Sequence, residues 1–188
     1  MSTDLIMQFM DGLKISDPLT LGEILHAKGV YSSVHSARVQ AQKALNSLVE
    51  LKRVERGQGY YRVLGCEGEY GDHARLLTKT LAALYSHADP VIFREHTISE
   101  LSLRPDAIVL LKRDGSGLCF FLEACLTETP AYLNQKITAL RNWGGALNYL
   151  SDLFNCHVPH FDIVVCSPPD ELPAGVWEFN RFLKEVVK

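Results

Sequence analysis

Apolar residues recur at helical spacing through the first fifty residues and predict three helices. The first has an apolar stripe from Leu5 to Leu13. The second is predicted to be capped by Thr20, with Glu23 three residues later in a capping box, and to end at Gly29. The third begins at Ser32 or Ser33 and extends to about Lys52.

The predicted third helix has two dissimilar faces. Its apolar stripe consists of Val34, Ala37, Ala41, Ala44, Leu45 and Leu48. The opposite face presents His35, Ser36, Val39, Gln42, Lys43 and Asn46. Small, polar and basic side chains of this kind suit approach to a DNA groove.

A short hairpin is predicted directly after this helix. Val54-Glu55 and the run from Tyr60 to Val63 are strand candidates, with Gly57-Gln58-Gly59 as the turn. Three helices followed by a basic hairpin are typical of a winged helix-turn-helix, whose third helix enters the major groove. The alternatives are a helical bundle with a solvated basic face and a winged helix that binds a protein. The candidate DNA-binding residues are His35, Ser36, Arg38, Gln42, Lys43, Asn46, Arg53, Arg56 and Arg62, with the hairpin arginines expected at phosphates.

The second half of the chain alternates between helical and strand-like segments. The predicted helices are 72–87, 131–150 and 172–187, and the predicted strands are 91–94, a run opened by Asp106, 118–125 and 161–166. A turn is expected at Asp114-Gly115-Ser116-Gly117. This order suits a three-layer α/β core. We therefore predict an α/β (α+β) chain with an N-terminal domain at 1–65, a linker at 65–71 and a larger domain at 72–188.

Two carboxylates stand out in this larger domain. Glu123 lies inside an apolar run, where an uncompensated charge is costly. It shares one strand face with Cys119, Phe121 and Cys125. If the two strands pair as a hairpin, Asp106 and Glu123 approach each other, and such a pair suits Mg²⁺ or Mn²⁺. The alternative is that Asp106 caps a strand and Glu123 pairs with Lys136 or Arg104.

This stretch resembles the PD-(D/E)XK nuclease-like fold. Pro105-Asp106 matches the first part of the motif and Glu123 matches the second acid, but Cys125 stands where the Lys is expected. More narrowly, the chain is similar to the replication-relaxation family of plasmids and integrative elements, which joins a winged helix to a nuclease-like domain. The resemblance implies a restriction-endonuclease-like C-terminal domain with Asp106 and Glu123 as metal ligands. Some proteins of this fold carry the Lys on a neighbouring helix, which makes Lys136 a candidate third catalytic residue, unless its head group simply reaches solvent.

Composition and charge narrow the setting. The chain has 188 residues, 47 % of them apolar, and no apolar run near the roughly 20 residues that span a bilayer. Its five cysteines include no CxxC pair, which indicates reduced thiols in the cytoplasm. The spacing of Cys156, His157, His160 and Cys166 does not match a standard zinc finger.

Positive charge is concentrated in one segment. Between Lys28 and Arg62, seven basic residues oppose two acidic ones, which gives this segment a net charge of +5. The whole chain has a net charge of −3, so the remainder carries −8. A basic segment in an acidic chain indicates a binding site for a polyanion.

Two functional hypotheses from different classes follow. The first is a DNA-binding protein that recognises double-stranded DNA and carries an inactive nuclease-like domain. By resemblance, it would act in replication, transfer or transcriptional control of a plasmid or mobile element. Its second domain would contact DNA or form a homodimer, with no membrane partner. The second hypothesis is an active metal-dependent DNA nuclease that uses Asp106, Glu123 and Lys136. A weaker third is a regulator whose second domain binds a protein or small ligand.

Overall fold

The chain folds into two compact units, Met1–His87 and Ala88–Lys188. The computed structural model describes residues 3–66, 71–113, 116–126, 129–167 and 172–186. Its helices and two sheets confirm the prediction of a mixed α and β fold. Within the described residues, no helix combines the length and the apolar character needed to cross a bilayer.

The first unit combines helices with a small sheet. Its helices are α1 (Thr3–Leu13), α2 (Pro18–Ala27), α3 (Val34–Glu50) and α4 (Asp72–His87), and its strands are β1 (Ile15–Ser16), β2 (Val54–Arg56) and β3 (Tyr61–Val63). The sheet is antiparallel with the order β1-β3-β2. The three predicted helices and the hairpin are therefore present, whereas β1 was not predicted.

The predicted N-terminal cap of α3 is confirmed, whereas that of α2 is wrong. Ser33 caps α3 as predicted, because its hydroxyl accepts a hydrogen bond from Ser36 N at 3.2 Å. The predicted cap of α2 at Thr20 is wrong. Asp17 is the cap, since its carboxylate accepts from Thr20 N at 2.9 Å, and Pro18 fills the first helical position.

Gly22 allows α2 to pack closely against α3. A Cβ atom added to Gly22 would lie 2.8 Å from both Cα and N of Arg38, closer than non-bonded atoms can approach. The α3 residues Ala37, Ala41, Ala44, Leu45 and Leu48 are all buried, so the core under α3 is built largely from small side chains. The two helices are therefore held at a distance that depends on Gly22 having no side chain.

Replacing Gly22 by Ala is expected to destabilise the first unit. The added methyl group must push α2 away from α3, and such overpacking costs about 1–3 kcal/mol. The atoms that the Cβ would meet are backbone atoms of Arg38, so the cost lies in the upper part of this range, and better helix propensity offsets at most about 1 kcal/mol of it. Urea unfolding followed by circular dichroism measures it. Gly71→Ala is the control, because a Cβ there meets open space. Equal stability of the two variants would contradict the tight contact.

The helix α4 belongs to the first unit, which differs from the predicted domain boundary. The hydroxyl of Thr78 donates to the carbonyl oxygen of Ile15 at 3.1 Å, and the rings of Phe9 and Tyr85 pack with centroids 5.1 Å apart. The apolar stripe of α4 is therefore used against the N-terminal helices. The predicted division into 1–65 and 72–188 is corrected to a boundary after His87.

The second unit is built on a five-stranded sheet. Its strands are β4 (Pro90–Arg94), β5 (Ala107–Arg113), β6 (Ser116–Ala124), β7 (Phe161–Cys166) and β8 (Trp177–Glu178), and its helices are α5 (Pro130–Arg141), α6 (Ala146–Phe154) and α7 (Phe179–Val186). The strand order is β4-β5-β6-β7-β8. The pairs β4/β5 and β5/β6 are antiparallel, and β7 is parallel to both β6 and β8.

Helices cover both faces of this sheet. On one face, Leu133, Ile137 and Leu140 of α5 pack in a buried cluster with Ile108 and Phe121 of the sheet. On the other face, Phe182 of α7 packs on Phe120, with ring centroids 4.8 Å apart. Consecutive strand residues point to opposite faces, so Phe120 and Phe121 serve different layers.

Two predicted helices of this unit are wrong in extent. The helix predicted for 131–150 is divided into α5 and α6, because Gly144 and Gly145 have weak helix propensity and the segment between Arg141 and Ala146 leaves the helical path. The helix predicted for 172–187 begins only at Phe179. Gly175 has φ +73°, a backbone conformation that favours glycine, and β8 follows before the helix.

Candidate functional sites

The outward face of α3 carries the predicted DNA-binding side chains of this helix. His35, Ser36, Arg38, Lys43 and Asn46 are exposed, and Gln42 is half-buried. They are exposed because the small apolar residues of the same helix turn toward α1 and α2. His35, Arg38, Val39, Gln42 and Lys43 border a shallow hollow of about 410 Å³. The surface therefore combines basic groups with one exposed apolar side chain, Val39.

A hydrogen-bond network joins α3 to the hairpin β2–β3. The buried hydroxyl of Tyr61 donates to Asn46 Oδ1 at 2.9 Å and accepts from Gln42 Nε2. Gln42 Nε2 also donates to Asn46 Oδ1 at 3.0 Å. The structure thus places Gln42 and Asn46, predicted as DNA-contacting residues, in a contact that fixes the hairpin relative to the helix.

Replacing Tyr61 by Phe is expected to loosen this junction. The change removes two hydrogen bonds, and because Gln42 and Asn46 can then bind water, we expect a loss of about 1 kcal/mol in the free energy of unfolding. Chemical unfolding measures it. Tyr31→Phe is a matched control, since the hydrogen bond described for Tyr31 is made by its backbone oxygen, which accepts from His26, and not by its hydroxyl. An unchanged stability for Tyr61→Phe would contradict the network.

The three arginines of the hairpin region are not equivalent. Arg53 and Arg56 are exposed, and the guanidinium of Arg56 lies 5.9 Å from the centroid of the Tyr61 ring. Arg62 instead forms an ion pair with Glu55, directly opposite on the hairpin, with Nε and Nη2 each 2.6 Å from Oε1. The charge of Arg62 is therefore largely balanced within the protein, which leaves Arg53 and Arg56 as the outward charges of the hairpin region.

In the second unit, the strand register brings Asp106 opposite Glu123. Ala107, the first residue of β5, pairs with Leu122 in the antiparallel β5/β6 ladder, so Asp106, just before the strand, lies opposite Glu123. Asp106 Oδ2 accepts a hydrogen bond from Ala124 N at 2.7 Å, and its backbone oxygen accepts from Glu95 N at 3.1 Å. The predicted approach of the two acids across the hairpin is consistent with this register. The turn predicted at 114–117 lies partly outside the described residues.

Lys136 forms an ion pair with Glu123. Glu123 is 0 % exposed and Lys136 is 6 % exposed, and the ammonium Nζ donates to Glu123 Oε2 in a buried ion pair. The ammonium also lies 5.6 Å from the centroid of the Tyr132 ring, one turn earlier in α5. The head group of Lys136 therefore does not extend into solvent. Pairing of Glu123 with Lys136 was one of the two alternatives that the sequence left open.

The cysteines on this face are buried thiols. Cys125, which stands where the resemblance leads one to expect a Lys, is 6 % exposed and lies in the apolar cluster under α5. The pKa of the Cys119 thiol is raised to about 12, mainly by burial and to a smaller extent by the neighbouring Cys156. Cys119 is therefore protonated at neutral pH and unsuited to be a nucleophile or a metal ligand.

Glu123 has a positively charged partner from the chain itself, because the ammonium of Lys136 contacts its Oε2 atom. An Mg²⁺ ion would need near-octahedral oxygen ligands at about 2.0–2.1 Å. Among the described residues, no group of three or more His, Cys, Asp or Glu side chains is placed to hold a metal ion. Cys156, His157, His160 and Cys166 are among the described residues and do not form such a group either.

No family model, curated protein or solved structure matches this chain. Function is therefore inferred from the geometry of the two units.

Proposed function

We propose that this chain is a DNA-binding protein that contacts double-stranded DNA through α3 and the hairpin β2–β3, as a winged helix-turn-helix does. One observation carries the proposal. The exposed polar and basic face of α3 is tied through Tyr61 to a hairpin with the exposed Arg53 and Arg56 at its edge. A rigid helix next to a basic hairpin can occupy a groove and the adjacent phosphates at the same time.

The chemistry of the α3 face suits the major groove, which is about 12 Å wide and admits one helix. Arg38 and Lys43 can donate to guanine edges or to phosphates, and Val39 can contact a thymine methyl group. Gln42 and Asn46 form hydrogen bonds with Tyr61 of the hairpin. Contacts to DNA bases are therefore expected from the N-terminal half of α3. Arg53 and Arg56 meet phosphates, and the Arg62–Glu55 pair keeps the hairpin strands in register.

The direct test is binding of the full chain to a fluorescently labelled duplex, followed by anisotropy at several salt concentrations. With four phosphate-contacting cations, Arg38, Lys43, Arg53 and Arg56, log K is expected to fall with log salt with a slope of about −3 to −4. Absence of binding at about 50 mM salt, or binding without salt dependence, would contradict the proposal.

The second unit supports a PD-(D/E)XK-like assignment by its geometry. One acid precedes β5, the other lies near the end of β6 opposite it, and Lys136 of the following helix contacts the second acid. We propose that this unit is a second DNA-contacting or dimerising platform without cleavage activity. The motif resemblance at Pro105-Asp106 and Glu123 is the support for proposing a role in replication, transfer or transcriptional control of a plasmid or mobile element. The five free cysteines support a reducing, cytoplasmic setting.

The second candidate function is a metal-dependent DNA nuclease using Asp106, Glu123 and Lys136. The observation in its favour is that Lys136 contacts Glu123, while the β5/β6 register sets Asp106 opposite Glu123. Incubation of supercoiled plasmid with the protein and MgCl₂ or MnCl₂ separates the candidates. Cutting that is lost in both Asp106→Asn and Glu123→Gln would establish the nuclease, whereas intact plasmid bound by the protein supports the first proposal.

A further inference from the structure

The outward face of α3 has an apolar position at its centre. Among the residues of α3, all of which the structure describes, Val39 is the only large apolar side chain that is exposed, with 39 % of it accessible. It lies two residues after Ala37 and two before Ala41, which is about 200° round the helix from each of these buried residues. Val39 therefore points away from the core, in the direction in which α3 would meet DNA.

Polar groups surround Val39. It borders the shallow hollow on α3 together with His35, Arg38, Gln42 and Lys43. His35 and Lys43 lie four residues before and after Val39, on the same face of the helix. An apolar centre is thus enclosed by groups that can form hydrogen bonds with base edges and phosphates.

The wall of the hollow formed by Gln42 has a fixed orientation. The amide nitrogen of Gln42 donates to the Tyr61 hydroxyl and, at 3.0 Å, to Asn46 Oδ1. These two bonds use both amide hydrogens and hold the side chain toward the hairpin. Gln42 therefore does not fold over Val39, and the apolar centre is open before any DNA binds.

The major groove offers one kind of apolar group to such a surface. Thymine presents its C5-methyl group there, whereas the other groups on the base edges are hydrogen-bond donors and acceptors. 5-Methylcytosine carries a methyl group at the same C5 position. An exposed apolar side chain on a helix in this groove is therefore matched by the C5-methyl group of a pyrimidine.

We propose that Val39 recognises the C5-methyl group of a pyrimidine in the major groove, supplied by thymine or by 5-methylcytosine. The helix α3 then discriminates between methylated and unmethylated pyrimidines, in addition to contacting phosphates. Recognition of this group rests on the proposed binding of double-stranded DNA by α3 and specifies the base feature that the helix distinguishes.

Two matched pairs of fluorescently labelled duplexes test this recognition with the full chain. In the first pair every base pair is A·T, and one member has uracil in place of thymine. In the second pair every base pair is G·C, and one member has 5-methylcytosine in place of cytosine. Each register of these duplexes places a pyrimidine C5 position in the groove, so no target sequence needs to be known. We expect the methylated member to bind about three- to fivefold more tightly, which is the contribution of burying one methyl group.

The two pairs also identify the source of the methyl group. A preference in the A·T pair alone assigns it to thymine, and a preference in the G·C pair alone assigns it to 5-methylcytosine. A preference in both pairs shows that Val39 accepts the methyl group of either base.

Replacing Val39 by Ser is expected to abolish the preference within each pair. The side chain is exposed, so the fold should be retained, and circular dichroism checks this. Val30→Ser is the matched control, because Val30 is 43 % exposed and lies outside α3. This control should keep the wild-type preference.

Three results would overturn the proposal. Equal, salt-dependent binding within both pairs by the wild-type chain would refute methyl recognition and leave the proposed DNA binding in place. A preference that persists in Val39→Ser would come from another side chain or from the shape of the duplex, and not from Val39. Absence of binding to every duplex would contradict the proposed DNA binding, and methyl recognition with it.

Discussion

Replacing Lys136 by Met is expected to lower the free energy of unfolding of the second unit by about 3–5 kcal/mol, because it leaves the carboxylate of Glu123 buried without its partner charge. Met has a similar length and is apolar, so it preserves most of the packing under α5. The loss therefore reports the uncompensated carboxylate rather than a cavity. Replacing both charges removes the cause, and Glu123→Gln with Lys136→Met is expected to lie within about 1–2 kcal/mol of wild type.

Guanidinium unfolding followed by tryptophan fluorescence measures this effect in the correct unit. The two tryptophans of the chain, Trp143 and Trp177, both lie in the second unit. Lys112→Met is the control, since Lys112 is exposed on β5. A Lys136→Met variant as stable as this control would show that the buried ion pair between Lys136 and Glu123 does not form in solution.

Replacing Lys43, Arg53 and Arg56 together by Ala is expected to weaken duplex binding by about 10- to 100-fold near physiological salt, since each exposed contact contributes up to about 1 kcal/mol. The salt dependence should become shallower by about 2.7 in slope, because three phosphate contacts are lost at about 0.9 each. All three side chains are exposed. The fold should therefore be retained, and circular dichroism checks this.

The matched control removes three positive charges elsewhere. Arg75 and Lys79 on α4 and Lys184 on α7 are exposed and lie outside α3 and the hairpin. Their combined replacement by Ala changes the net charge by the same amount, so it separates a local surface from a general charge effect. Equal losses of affinity in the two triple variants would contradict the winged helix-turn-helix proposal.

Much of the first unit could be predicted because its signals are local. Ser33 begins α3, the small apolar residues of α3 mark its buried face, and the Gly-rich turn after Arg56 separates two short strands. The strand β1 has no such signal. It exists because Ile15 and Ser16 pair with Arg62 and Tyr61, far away in the sequence.

The domain boundary was missed for a related reason. The periodicity of α4 shows that one face is buried, but it does not show against which unit. Only the contacts of Tyr85 with Phe9 and of Thr78 with Ile15 decide this.

The candidate sites show the same limit. Periodicity placed Lys136 at the edge of the α5 stripe and Glu123 in a buried run, but their ion pair depends on how α5 packs on the sheet. The role of Tyr61 had no signal in the sequence, since its partners Asn46 and Gln42 lie 15 and 19 residues earlier. Side-chain contacts of this kind follow from tertiary structure, which a single sequence does not specify residue by residue.

Hydrogen–deuterium exchange of the full chain, with and without a saturating DNA duplex, shows which segment binds the DNA. If α3 and the hairpin form the DNA-binding surface, DNA should slow amide exchange in residues 34–63, with the largest change in the N-terminal half of α3 and at the hairpin. Unchanged exchange in 34–63, with slowing confined to α1, α4 or the second unit, would contradict DNA binding by α3 and the hairpin.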